Sequence, residues 1–134
     1  MIVILNGRSL LCSGLAARLA LREWPVVSVP LAGSLGQLGS TLTRLQPQLL
    51  ILDAADLLGT GFLFLDALRE EPWLAGCPVL IVAGGTLPDA DRFLAAAAKR
   101  GCHVLLDPVN FDYLAREVES LVASAGRHLA SVAD

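Results

Sequence analysis

Five short apolar blocks recur along this chain, separated by longer segments of mixed polarity. Each block contains three or four leucine, isoleucine or valine residues, and three of the blocks begin at or near a proline, which cannot continue a helix. Blocks this short that are apolar almost throughout are typical of strands buried on both faces. The pattern predicts five strands, at 2–5, 26–29, 49–52, 79–82 and 104–106.

The segments between these blocks repeat apolar residues at helical spacing. Leu35, Leu38, Leu42 and Leu45 recur every three or four positions, so they lie on one face of a helix. Comparable stripes occur at 11–19, 61–71, 93–97 and 114–122. Buried strands that alternate with helices predict a doubly wound, five-stranded parallel sheet with helices on both faces, a three-layer α/β/α domain.

The composition fits one folded domain. Of the 134 residues, 54% are hydrophobic and 17% are charged, which argues for a packed core and against disorder. Helical periodicity fades after Gly126, so we expect a domain over residues 1–123 and a frayed tail over 124–134. The apolar residues come in blocks too short for the ~20 residues of a membrane span, and the N-terminus lacks a signal-peptide pattern. We therefore expect a cytoplasmic protein without a membrane segment.

The distribution of charged residues and cysteines excludes further classes. Ten Lys and Arg against 13 Asp and Glu give a net charge of −3, and the arginines form no basic stripe that would follow a phosphate backbone. The three cysteines, Cys12, Cys77 and Cys102, are widely spaced and match no zinc pattern. The sequence thus argues against direct nucleic-acid binding and indicates neither a metal site nor a cofactor.

Asp53 follows the third apolar block, at the strand end where open α/β sheets place their chemistry. The segment 47–53 resembles the one that carries the phosphoacceptor aspartate in receiver domains of response regulators. Gly61 and the segments 78–83 and 101–108 match further family positions in order and spacing. The resemblance covers the whole predicted domain and implies a flavodoxin-like (βα)₅ fold and a role in two-component signalling.

Several positions depart from the receiver pattern. The family binds Mg²⁺ with two acidic residues after the first strand, where this chain has Asn6 and Gly7. The family contacts the phosphoryl group with a hydroxyl and a lysine, where this chain has Ala83 and Asp107. A second carboxylate in place of the lysine repels added negative charge. The resemblance therefore indicates a degenerate receiver, or pseudo-receiver, in which Asp53 occupies the phosphoacceptor position.

Three other residues near Asp53 have alternative interpretations. Ala55 matches the family position whose backbone carbonyl contacts the metal, and its carbonyl is still present. Asp56 is either a turn residue or part of a relocated cation site. Gly84 is either a loop residue or an exposed amide that contacts an anion. Asp53 itself is a strand-end carboxylate bonded to loop amides or to the start of a helix, a binding or switching group, or a true phosphoacceptor.

These observations favour a non-enzymatic signalling module that acts through protein contacts, with a homodimer or another protein as partner. In receivers the usual partner surface is formed by the fourth helix, the fifth strand and the fifth helix. The corresponding residues here include Arg92, Lys99, Arg100, Val104 and Arg116, and Val104 also replaces an aromatic switch residue. Two alternatives stay open: a phosphorylatable receiver with atypical cation binding, and a flavodoxin-like domain that binds a small ligand or nucleotide.

Overall fold

Strands and helices alternate along the chain. The computed structural model describes residues 1–5, 10–30, 35–55, 57, 62–70, 76–84, 89–106 and 111–133. The strands are β1 (Ile2–Leu5), β2 (Val26–Val29), β3 (Leu49–Asp53), β4 (Val79–Ala83) and β5 (His103–Leu106). The helices are α1 (Leu10–Leu21), α2 (Leu35–Leu45), α3 (Leu63–Leu68), α4 (Ala90–Lys99) and α5 (Phe111–Ala133).

The five strands form one parallel sheet in the order β2-β1-β3-β4-β5. Ile2 of β1 lies beside Val26 of β2 on one side and beside Leu49 of β3 on the other. The chain thus winds first to one edge and then returns across β1 to build the rest of the sheet, which leaves a switch point beside β1. The predicted doubly wound, five-stranded parallel sheet is confirmed.

Two hydrophobic cores lie on opposite faces of this sheet because successive strand residues face opposite sides. Helices α2, α3 and α4 cover the first core, with Leu38, Leu42, Leu65, Phe93 and Ala97 buried in it. Helices α1 and α5 cover the second core, with Leu15, Leu19, Leu114, Ala115 and Val118 buried in it. Each fully buried side chain of leucine size contributes roughly 1.5–3 kcal/mol. The strand blocks are apolar throughout because both of their faces meet a core.

The ends of three strands and one helix differ slightly from the prediction. β3 extends through Asp53, β4 extends through Ala83, and β5 begins at His103, one residue earlier than predicted. Helix α3 covers only Leu63–Leu68, and the ends of the predicted segment 61–71, including Gly61, lie outside the described residues. Asp53 and Ala83 therefore take part in strand pairing themselves.

Helix α4 ends in a tight turn at Gly101. Gly101 has φ +70°, a left-handed conformation that glycine adopts without strain. The Gly101 N–H bonds the Ala98 carbonyl and the Cys102 N–H bonds the Ala97 carbonyl, both at 3.0 Å. This pair of bonds satisfies the last carbonyls of the helix. The chain can therefore pass directly from α4 into β5.

Helix α5 is longer than the sequence pattern suggested. It runs to Ala133 and so includes residues 124–133, whose expected fraying stays a prediction. Its 23 residues give a length of about 34 Å at ~1.5 Å per residue. The domain boundary at residue 123 stays a prediction. In the described part of the chain, no helix has both the length and the apolar character of a membrane span.

Candidate functional site

The carboxyl ends of the strands form one edge of the sheet, and we call this edge the Asp53 edge. Its strand-end residues are Leu5, Val29, Asp53, Ala83 and Leu106. Of these five, Asp53 is the one with an ionisable side chain. It belongs to β3, which lies between β1 and β4, and it is half-buried while the rest of β3 is fully buried. The structure thus places the predicted carboxylate at the centre of the sheet edge.

Asp53 has a hydrogen bond within its own turn. Its Oδ1 accepts the backbone N–H of Ala55 at 2.9 Å. Ala54, Ala55 and Leu57 are helical, so this bond caps the start of a helical turn, and it also orients the carboxylate. Ala55 is exposed, whereas Ala54 and Leu57 are buried in the first core. The turn after β3 is therefore fixed to the core on one side and open to solvent at Ala55.

Ala83 lies on the neighbouring strand, at the position of the expected switch hydroxyl. It is only 3% exposed and belongs to the first core. Val82, the residue before it, pairs in register with Asp53. A methyl group offers no hydrogen bond, so this position provides packing and no contact to an anion. Gly84 follows it and is exposed. Its use by a small ligand or nucleotide stays a prediction.

Four predicted pocket residues, Asn6, Gly7, Asp56 and Asp107, lie outside the described residues. Their roles therefore stay predictions. Within the described ranges, no group of three or more His, Cys, Asp and Glu side chains is arranged to hold a metal ion. Among the described residues, the Asp53 edge has the oriented carboxylate of Asp53, the buried methyl group of Ala83 and the exposed Gly84.

The predicted partner residues differ in their exposure and in their contacts within the chain. Arg92 and Lys99 are exposed on α4, and Arg116 is exposed on α5. Val104 is half-buried against the first core. Arg100 differs, because its guanidinium already pairs within the chain. It donates to Asp66 of α3 from Nε at 2.7 Å and from Nη2 at 3.0 Å.

Arg100 is part of a cluster that the sequence pattern did not predict. We call Phe62, Asp66, Phe93 and Arg100 the Arg100 cluster. The guanidinium lies 4.7 Å from the centre of the Phe62 ring, and the Phe62 and Phe93 ring centres are 5.2 Å apart. Asp66 and Arg100 are 34 positions apart in sequence. The sequence shows that Asp66 and Arg100 carry opposite charges on neighbouring helices. Many other charged residues do the same, so the sequence did not identify this pair.

The electrostatics of this region follow from contact and burial. The hydrogen bonds from Arg100 lower the pKa of Asp66, and the positive charge of Arg69 adds to this effect. Burial raises the pKa of the Cys102 thiol and raises that of Cys77 to about 11. The Arg69 Nη2 lies 3.9 Å from the Cys102 sulfur. The Cys77 and Cys102 thiols therefore stay protonated near neutral pH and are poor nucleophiles, which suits packing residues.

Comparisons with solved structures support the same fold. The receiver domain of a response regulator from Bermanella marisrubri is 21% identical, with a TM-score of 0.64 over 90% of this chain and 96% of that one. The chemotaxis protein CheY4 of Vibrio cholerae is 16% identical, with a TM-score of 0.66 over 90% and 96%. NtrX of Brucella abortus, solved in complex with ATP, is 16% identical with a TM-score of 0.71.

These matches differ in how much of the other protein they cover. The match to NtrX includes 98% of this chain but only 28% of NtrX, so the chain corresponds to a small part of that larger protein. No protein-family model matches the sequence, and no curated protein does. The sheet order, the strand-end aspartate and the structural matches lead to one conclusion. The chain has the flavodoxin-like fold of response-regulator receiver domains.

Proposed function

We propose that this protein is a receiver-like signalling module that acts through protein contacts, without phosphorylation of Asp53. The observation that carries the proposal is the buried methyl group of Ala83, beside the strand that ends in Asp53. Phosphoryl transfer depends on fixed donors and cations that neutralise the charge of the transferring oxygens. At this position the side chain has no donor to offer. The receiver fold is retained while one element of receiver chemistry is replaced.

The contact between Asp53 and Ala55 supports a structural role for the carboxylate. Because Oδ1 accepts the Ala55 N–H, the side chain closes the turn that follows β3. Such a carboxylate stabilises the start of the next segment without a bound ligand. In this proposal Asp53 organises the edge of the sheet, and partner binding takes place elsewhere on the domain.

Intact-mass measurement after incubation with a small phosphodonor and Mg²⁺ tests the chemical part of the proposal. We expect no added phosphoryl mass in the natural protein or in Asp53→Asn, its matched control. Asp53 is half-buried at a central strand end, an observation that favours the second candidate, a phosphorylatable receiver with atypical cation binding. A stable phosphoryl adduct that is absent from Asp53→Asn would establish that candidate and contradict our proposal.

Light scattering coupled to gel filtration, over a dilution series, tests the contact part. The exposed basic residues Arg92 on α4 and Arg116 on α5 flank β5 in the proposed partner surface. We expect a concentration-dependent dimer that the double charge reversal Arg92→Glu and Arg116→Glu weakens. Arg44→Glu is the matched control, because Arg44 is exposed on α2, next to the other half of the sheet. A monomer at every concentration would contradict the homodimer.

A further inference from the structure

The side chain of Arg100 uses every nitrogen of its guanidinium. Nε and Nη2 form a two-pronged contact with the Asp66 carboxylate, and Nη1 donates to the Ala96 carbonyl in the same helix at 3.0 Å. The planar group matches the geometry of a carboxylate, so the two bonds fix orientation as well as distance. The Arg100 side chain therefore connects the end of α4 to the middle of α3.

The same guanidinium lies on an aromatic pair. Phe62, the residue before α3, contacts the Arg100 guanidinium with its ring face and also packs against Phe93 of α4. The Phe93 side chain is 8% exposed. A guanidinium at 4.7 Å from a ring centre is within the range of a cation–π contact. Phe62 thus contacts α4 in two places. Any shift of Phe62 displaces both Arg100 and Phe93, since close-packed groups do not move independently.

We propose that the Arg100 cluster is a latch that makes α4 follow the position of Phe62. The inference rests on the proposed function in one respect, that α4 belongs to the partner surface. Phe62 directly precedes α3 and Arg100 directly follows α4, so the latch joins the start of α3 to the end of α4.

Cys102 provides a natural reporter for this latch. It follows Arg100 and Gly101 directly, its N–H bonds the Ala97 carbonyl of α4, and its half-buried sulfur lies 3.9 Å from Arg69 of the α3 end. Separation of α4 from α3 exposes this sulfur. Cys12 belongs to α1 and is fully buried in the second core, so it becomes accessible only when that other core opens. The two thiols therefore distinguish local opening from global unfolding.

The experiment measures the rate at which a thiol reagent modifies each cysteine, by peptide mass mapping of the intact folded protein. We expect Arg100→Met and Asp66→Asn each to raise the Cys102 rate about fivefold to tenfold, because either change opens the latch locally. The double variant adds little to either single change, since both act on one contact. Phe62→Leu, which keeps an apolar side chain but removes the ring, raises the rate as well.

Glu119→Gln is the matched control. It weakens a comparable ion pair, Arg22 to Glu119 at 2.6 Å, on the opposite face of the sheet, so the Cys102 rate stays unchanged. An unchanged Cys102 rate in Arg100→Met and Asp66→Asn overturns the proposal, and so does an equal rise at Cys12. None of these measurements needs a partner. Failure of the latch is therefore distinct from failure of the proposed partner surface.

Discussion

The two helical layers of this domain are joined at their surfaces by different chemistry. On one face of the sheet, Arg22 pairs with Glu119 at 2.6 Å and Arg18 pairs with Asp112 at 3.7 Å, between α1 and α5. On the other face, Arg100 joins α4 to α3 through both carboxylate oxygens of Asp66 and through the Phe62 ring. Both layers cover apolar cores, but only the second adds a ring stack to its ion pair among the described residues.

The two kinds of contact differ in how much they stabilise a layer and in how firmly they orient its helices. Exposed ion pairs between flexible side chains contribute roughly 0–1 kcal/mol and are screened by salt. The α1–α5 layer therefore depends on its aliphatic core, and its ion pairs add little. A planar guanidinium held between a carboxylate and a ring has few alternative positions. The α3–α4 layer accordingly adds a contact with a fixed direction between its two helices.

Truncation of core side chains gives the largest expected effects and tests whether the layers differ. Phe93→Ala removes the ring under Phe62 and should lower the free energy of unfolding by about 3–5 kcal/mol, whereas Leu19→Ala in the other core should lower it by about 2–5 kcal/mol. Urea unfolding measures both. Only Phe93→Ala should also accelerate labelling of Cys102 relative to Cys12. Equal acceleration in Leu19→Ala would show that the layers are not independent.

Substitution by alanine at two glycines should change the free energy of unfolding in opposite directions. Gly101→Ala forces a Cβ into a left-handed backbone at φ +70°, which costs about 1–2 kcal/mol although no atom lies within 4 Å of that Cβ. Gly39→Ala, inside α2 with equally open space, should stabilise the protein by about 0.5–1 kcal/mol through higher helix propensity. Thermal and urea unfolding measure both changes. Destabilisation by Gly39→Ala would contradict the geometry at α2.

The pH dependence of unfolding tests the ion pair of the α3–α4 layer. Arg100 lowers the pKa of Asp66 in the folded state below the unfolded value of ~3.9. The ion pair therefore stabilises the fold above the unfolded pKa, and this stabilisation is lost as the pH falls through the folded pKa. The stability difference between the natural protein and Asp66→Asn should therefore shrink between neutral pH and about pH 3. Urea titrations at several pH values measure it. A difference that stays constant over this range would contradict the assignment.

The smallest effect is expected at the surface of the α1–α5 layer. Glu119→Gln should change the free energy of unfolding by less than about 1 kcal/mol, and added salt should reduce that change further. The measurement is urea unfolding at low and high ionic strength. A larger loss that persists in high salt would mean that the Arg22–Glu119 pair contributes more to the stability of this layer than its exposure indicates.

The sequence predicted the sheet better than the contacts around it. Short apolar blocks specify buried strands, and their order with intervening helices specifies a parallel sheet, so the position of Asp53 followed directly. The Arg100 cluster did not follow, because contacts between Asp66 and Arg100 depend on how α3 and α4 lie side by side. The extent of α5 did not follow either, because this helix reaches Ala133 although its apolar repeat fades earlier. A repeat of apolar residues indicates which helix face is buried, and an exposed helix can continue without such a repeat.

The turn between α4 and β5 has a consequence for insertions and deletions. Only Arg100, Gly101 and Cys102 separate the two elements, and β5 then places Val104 against the first core and Leu105 against the second. Because side chains alternate along a strand, one added or removed residue would exchange these two faces. The same change would move Cys102 away from the helix carbonyl that it bonds. Loop length at this turn is therefore as constrained as residue type.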